Sequence, residues 1–237
     1  MQIKDNLLIF DKSELKIKKK IPARVFAGLN HFDKFNSPEE YLLEHHGLVT
    51  SDDIDPKYKA RGDLAERIVK QVYQRNHQIV TYDAEKMHWD AFPDIPIWGG
   101  VPDIELPLDD TIVEVKSKSM SHYDYITKYP LQSEIHQGLF YAYHRGYSKC
   151  IMEWIFFDEQ TDSEISQGLP PTTLKNIKRF SKEYDVDRPY IKGLLDNAKA
   201  IVDEFRSNPI LDIHNITPRI LKKVIDKAKG VNNNVQK

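Results

Sequence analysis

Apolar residues recur at helical spacing in "RGDLAERIVKQVYQRN", where Leu64, Ile68, Val69, Val72 and Tyr73 fall on one side, so this segment predicts a helix packed on a sheet. Glu66 lies beside that stripe, which sets a carboxylate at the rim of the buried face. Upstream, "NSPEEYLLEHHG" predicts a shorter helix, with Ser37 as cap, Pro38 in the first position, Glu39 and Glu40 in the first turn, and Gly47 at the end. Three strand-like runs follow, "HQIVTYD", "VPDIEL" and "TIVEVKSK", and "PLDD" supplies the turn between the last two. They predict an antiparallel meander. A helix is expected over "YPLQSEIHQGLFYAYHRGY", with Leu131, Ile135, Leu139, Ala142 and Tyr143 on its apolar side. The nearly all-apolar "SKCIMEWIFFD" reads as a central strand. Beyond Asp158, "TTLKNIKRFSKEY", "DRPYIKGLLDNAKAIVDEF" and "ITPRILKKVIDKAKG" are read as helices, the last starting at Thr217 and Pro218, and the tail "VNNNVQK" as frayed or disordered.

Composition adds bounds to this picture. With 237 residues, 40% hydrophobic and 30% charged, the chain has enough apolar material for one compact core. The net charge of -2 means that a polyanion would have to be met by basic residues gathered on one face. A lone cysteine, Cys150, excludes an internal disulfide, a Cys-rich zinc site and a four-cysteine cluster; in "KCIMEWIFF" it reads as a buried strand thiol. The first residues lack the pattern of a secretory leader and no run approaches a membrane span, so a soluble protein of the cytoplasm is expected, with no membrane partner.

Charge within the strand runs changes the picture most. Alternation puts Val101, Asp103 and Glu105 on one face, and Ile112, Glu114 and Lys116 on one face of the next strand, so a hairpin can bring both sets together. Two carboxylates so placed repel unless a cation or proton intervenes, and a hard divalent ion with oxygen ligands supplies that compensation. Asp103, Glu114 and Lys116 are thus a workable set for cutting a phosphodiester, with Glu66 available from the adjacent helix. The plainer reading is a half-exposed hairpin whose Glu114 and Lys116 pair with neighbours across the strands.

At these residues the chain resembles the PD-(D/E)XK nuclease superfamily. "PD" at Pro102 and Asp103 followed by "EVK" at Glu114 to Lys116 is similar to its signature, and the predicted helix, three strands, helix, strand order is similar to its core. Within the superfamily the likeness is to the lambda exonuclease and YqaJ-like viral recombinase nucleases, relatives of the RecB-type nuclease domain. "FAGLNHFDKFNSPEEYLLEHHG" echoes the first part of their pattern, Gly62 and Glu66 match its glycine and glutamate, and Gln137 and Tyr141 match a downstream "Q...Y".

The resemblance implies an α/β (α+β) fold with a restriction-endonuclease-like core, a central mixed sheet in αβββαβ order flanked by helices, and extra C-terminal helices. One nuclease domain over 1–237 is expected, with its core at about 20–160, a helical extension at about 170–230 and the tail at 231–237. It also implies Asp103, Glu114, the backbone carbonyl of Val115 and Glu66 as metal ligands, Lys116 as the catalytic lysine, and Gln137 as a residue orienting near that lysine or the phosphate. Lys19, Lys20, Arg24 and Tyr141 are the implied DNA contacts. The implied cofactor is Mg²⁺, with Mn²⁺ as a substitute. The implied activity is exonucleolytic hydrolysis of linear double-stranded DNA in phage-type recombination, in a bacterial host's cytoplasm if the protein is phage-encoded. A homo-oligomer, a trimer by analogy, and a single-strand annealing protein are the implied partners.

Two other functions stand beside this one: a site-specific endonuclease on the same fold, and a DNA-binding or interaction protein that keeps the fold without the chemistry. His45, His46, His88, His122 and His136 show no zinc-ligand spacing and read as surface or hydrogen-bonded residues. Trp89 and Trp98 can each be read as a base-stacking or a core aromatic, and the basic residues of the last helix, Arg219, Lys222, Lys223, Lys227 and Lys229, as a solvated face.

Overall fold

The computed structural model describes residues 1–50, 55–169 and 176–230. Its strands are β1 (Gln2–Lys4), β2 (Leu7–Ile9), β3 (Ile21–Pro22), β4 (Trp98–Gly99), β5 (Ile104–Leu106), β6 (Thr111–Ser119), β7 (Lys149–Phe157), β8 (Lys178–Asp185) and β9 (Ile210–Asp212). The helices are α1 (Ala23–Leu29), α2 (Pro38–His45), α3 (Pro56–Tyr73), α4 (Tyr123–Lys128), α5 (Gln132–Arg145), α6 (Glu159–Ser166), α7 (Arg188–Ser207) and α8 (Pro218–Ala228). The chain forms two compact units: Met1–Asp52, Pro96–Trp98 and Lys192–Lys237 make one, and Asp53–Ile95 with Gly99–Ile191 make the other. Among the described residues no helix is long and apolar enough to cross a membrane.

The unit formed by Asp53–Ile95 and Gly99–Ile191 is built on a mixed sheet in the order β5-β6-β7-β8, with β6 and β7 parallel and the outer pairs antiparallel. A parallel pair needs a crossover, and α4 and α5 supply it. Leu64, Ala65, Val69 and Tyr73 of α3 pack with Ile104, Leu106, Val113, Val115, Ile155 and Phe157 on one face of the sheet. On the other face α5 comes so close that a Cβ on Gly138 would stand 2.5 Å from Cys150 Sγ and 2.9 Å from Met152 Sδ. β7 is central, as its apolar run predicts, and Cys150 is buried in it. Its one buried carboxylate, Glu153, takes hydrogen bonds from Tyr73, Ser181 and Arg179.

Three sequence expectations fail in this unit. "HQIVTYD" makes no strand: only Val80 pairs, exchanging both backbone hydrogen bonds with Glu105 at 2.9 Å, and the Tyr82 hydroxyl then donates to the Glu105 side chain at 2.7 Å. "TTLKNIKRFSKEY" is not helical where it is described, since Lys178–Asp185 is β8; residues 170–175 lie outside the described part. Its alternating charged and aromatic residues fit an edge strand, where charge is tolerated and discourages further strand pairing, and Phe180 stacks on Trp154 with centroids 5.3 Å apart. Val72, expected in the buried stripe of α3, is exposed.

In the other unit β1, β2 and β9 form an antiparallel sheet. The predicted start of α2 is a capping box, in which Ser37 accepts from the Glu40 amide and Glu40 returns to the Ser37 amide. Gly47 follows this helix with a left-handed φ of 65°, which suits a residue without a Cβ. α8 starts at the predicted Pro218, and the Thr217 amide donates to Glu40 Oε1 at 2.8 Å. The tail 231–237 lies outside the described residues.

His45 sits at the end of α2 with only 2% of its surface exposed, and neither ring nitrogen has a hydrogen-bond partner among the described residues. Burial, followed by the neighbouring His46 and then the charges of Arg206 and Lys18, pushes its pKa down from 6.5 to about 3. The folded form therefore holds a neutral ring, while the unfolded chain takes up a proton below about 6.5, so this contribution to stability is complete above that pH and is lost as pH falls towards 3. A His45→Leu variant should thus gain on the wild type by about 1.4 kcal/mol for each pH unit below 6.5. Urea unfolding at pH 7.5 and pH 5 reads this difference; a difference that does not change with pH contradicts the assignment.

Candidate active site

The site is built on an unpaired length of β6. Pairing with β5 ends at Ile104 opposite Val113, so the next residues of β6 are hydrogen-bonded on the β7 side only. Val115 must find an acceptor on the open edge, and its amide donates to Asp103 Oδ2 at 2.7 Å. Because the N–H and C=O of one strand residue point to the same edge, the Val115 carbonyl also faces the Asp103 side. Asp103 precedes β5 and does not share a strand face with Glu105, contrary to the expected alternation. Three residues are nonetheless brought together as expected, because Lys116 Nζ donates to Glu114 Oε1 at 2.7 Å and the Asp103 and Glu114 charges act on one another. The other oxygen, Glu114 Oε2, is buried with no hydrogen-bond partner among the described residues.

Burial, and then the neighbouring Glu114 and Glu66 carboxylates, push the Asp103 pKa well above the usual carboxylate range. Burial also raises Glu114, against the opposing pull of Lys116. For Lys116 the balance goes the other way: burial alone would lower it, but Glu114, Asp103 and Glu134 hold it above its usual value, so the ammonium keeps its proton. Glu66 reaches this edge from α3, near enough for its charge to act on both acids, and pairs with Lys70 at 3.0 Å.

α5 contributes Gln137, whose Nε2 donates to the Tyr141 hydroxyl one turn on, at 3.4 Å. Gly138 gives this helix its close approach, since a Cβ there would also come within 3.3 Å of Glu114 Cβ. Tyr141 is buried, not at a surface where it could meet DNA; its ring lies 6.1 Å from Phe92 and fills the space beside Gly100. Glu134, which the sequence reading passed over, accepts from Lys118 Nζ at 2.5 Å and from Trp154 Nε1 at 2.7 Å, and its charge acts on Glu114 and Lys116. Its place one helical turn before Gln137 was the available signal.

Lys19, Lys20 and Arg24 belong to the other unit. Arg24 makes a two-pronged contact with Glu44, at 3.2 and 2.9 Å. Trp98 is a core residue, edge-on to Phe26, whereas Trp89 is exposed. Glu105, which the sequence left without a role, is buried and bound by Tyr82, Arg145 and Tyr147.

No family model matches the chain, and a comparison with the curated proteins finds no match. Solved structures do match. An alkaline exonuclease, LHK-Exo, from Laribacter hongkongensis aligns with a TM-score of 0.54 and 17% identity over 93% of this chain and 97% of that one. LHK-Exo in complex with dAMP gives 0.55 and 17% over 92% and 96%. A phage-related exonuclease from Haemophilus somnus 129PT gives 0.56 and 9% over 83% and 96%. The chain has the fold of these exonucleases. The mixed α/β architecture expected from the sequence is therefore shown, and at these identities the likeness is one of fold.

Within this exonuclease fold, two glycines should respond in opposite directions. Gly138→Ala overpacks the contact between α5 and the sheet and should cost about 1–3 kcal/mol. Gly62→Ala, in α3, meets nothing within 4 Å and should stabilise by about 0.5–1 kcal/mol through helix propensity. Chemical denaturation of both variants checks the pair, and equal losses would contradict the packing described.

Proposed function

We propose that the chain is a Mg²⁺-dependent deoxyribonuclease that hydrolyses phosphodiester bonds, acting as an exonuclease on linear double-stranded DNA. The observation that carries this reading is Glu114 Oε2, a buried carboxylate oxygen with no hydrogen-bond partner among the described residues, in a side chain whose charge acts on Asp103. Among the described residues no three His, Cys, Asp or Glu side chains gather as a ready cation site. Two carboxylates and a backbone carbonyl fit Mg²⁺ nonetheless, because this ion usually takes one or two carboxylates and completes its shell with water and substrate phosphate.

Asp103, Glu114 and the Val115 carbonyl would hold the ion, with Glu66 as a further acidic ligand and Mn²⁺ able to replace Mg²⁺. When bound, the ion supplies polarisation of the phosphoryl oxygen and a lowered pKa for bound water. Lys116 keeps its proton and offers fixed positive charge where negative charge develops. Gln137, held by the Tyr141 hydroxyl, has an amide available to orient a phosphate oxygen or the lysine. The alkaline and phage-related exonucleases of the same fold support exonuclease over endonuclease.

Asp103→Ala should lower the rate on linear duplex DNA by at least about a hundredfold, given the several kcal/mol a metal supplies. Wild-type protein in Mg²⁺ should digest a linear duplex and spare the closed circular plasmid. Cutting of the circle would favour the site-specific endonuclease, and full activity of Asp103→Ala would overturn the assignment. Thermal melting is an independent readout: Mg²⁺ should raise the melting temperature of the wild type, by binding the folded state and relieving carboxylate repulsion, and leave Asp103→Ala unmoved.

A further inference from the structure

Along β6, Glu114, Lys116 and Lys118 alternate onto the face that α5 covers. Strand register carries this face outward. Lys118 stands opposite Phe156, and Phe156 opposite Lys178; Lys116 stands opposite Trp154, and Trp154 opposite Phe180; Glu114 stands opposite Met152, and Met152 opposite Lys182. The edge strand therefore sets Lys182 two strand spacings, about 10 Å, from Glu114 and Lys178 the same distance from Lys118, with the fully buried Met152 and Phe156 between.

Both lysines are exposed. Lys178 Nζ lies 4.2 Å from the Tyr123 ring centroid and Lys182 Nζ 5.3 Å from that of Tyr184, and among the described residues neither is matched by a carboxylate. The opposite face of β8 differs, for Glu183 there pairs with Lys149 and Arg179 with Glu153. Unmatched positive charge on this strand is thus confined to the site's side, in a chain of net charge -2. Lys118, one step beyond Lys116 on β6, is held by Glu134 at 2.5 Å, while Tyr123, Phe180 and Tyr184 lie beside the edge lysines.

We propose that Lys178 and Lys182 form a track along the open edge strand for the phosphodiester backbone of a nucleic-acid strand. The proposal rests on the nuclease reading for what the site is, but its test does not use cleavage. Lysines on an edge strand can also serve only to prevent sheet-to-sheet pairing, and the experiment separates the two roles.

The probe is a fluorescent single-stranded oligonucleotide, titrated in EDTA at several salt concentrations with wild-type protein and with a K178M/K182M variant. Loss of two phosphate contacts should reduce the slope of log K against log salt by about 1.4, at about 0.7 for each contact. K178R/K182R should restore the slope, and Lys149→Met, on the opposite face, should leave it unchanged. An unchanged slope in K178M/K182M, with melting confirming the fold, overturns the track even if the protein cuts DNA. A reduced slope in a protein that never cuts DNA keeps the track and removes only the nuclease reading.

Discussion

The candidate site depends on where one strand stops. Pairing between β5 and β6 ends at Ile104 and Val113, and beyond that point β6 has an edge whose backbone groups need partners. Continuation of β5 would have satisfied the Val115 amide with a carbonyl and closed the edge. Instead the chain arrives from Gly100, whose φ is 144°, and supplies the carboxylate of Asp103. One hydrogen bond thus both ends a sheet ladder and brings an acid against Glu114. α3 and α5 lie on opposite faces of the sheet, yet the charge of Glu66 from one and the Tyr141 hydroxyl, to which Gln137 donates, from the other both act with the acids.

Much of this was legible in the sequence. The periodicity of α3 and α5, the cap of α2 and the apolar run of β7 were read correctly, because each rests on local chemistry or on a strong burial pattern. β8 was not, since "KRFSKEYD" has the composition of an exposed helix as much as of a charged edge strand, and only its ladder with β7 decides between them. "HQIVTYD" failed for the opposite reason: its residues favour a strand, but only Val80 pairs, with Glu105. The set Asp103, Glu114 and Lys116 was recognised, yet the expected route, alternation along two full strands, differs from the one the chain uses. Tyr141 was misjudged because a helix position one turn from Gln137 can face the site from inside the core as well as from the surface.

Comparison among buried glutamates shows why Glu114 stands apart. Glu105, Glu114 and Glu153 are exposed by only 1%, 2% and 0%, and each bears the desolvation cost of a carboxylate in a sheet. Glu153 offsets it with Tyr73, Arg179 and Ser181, and Glu105 with Tyr82, Arg145 and Tyr147; in both, each oxygen has a donor. These two are structural, for their networks are complete. Glu114 has Lys116 on one oxygen and nothing on the other, and another carboxylate beside it adds repulsion. A sheet able to satisfy two of its buried glutamates fully leaves the third half-satisfied at the edge where Asp103 and the Val115 carbonyl are also presented. A cation between those oxygens would supply the missing partner and cancel the repulsion together, so on the proposed reading the same unsatisfied oxygen is what would hold the ion.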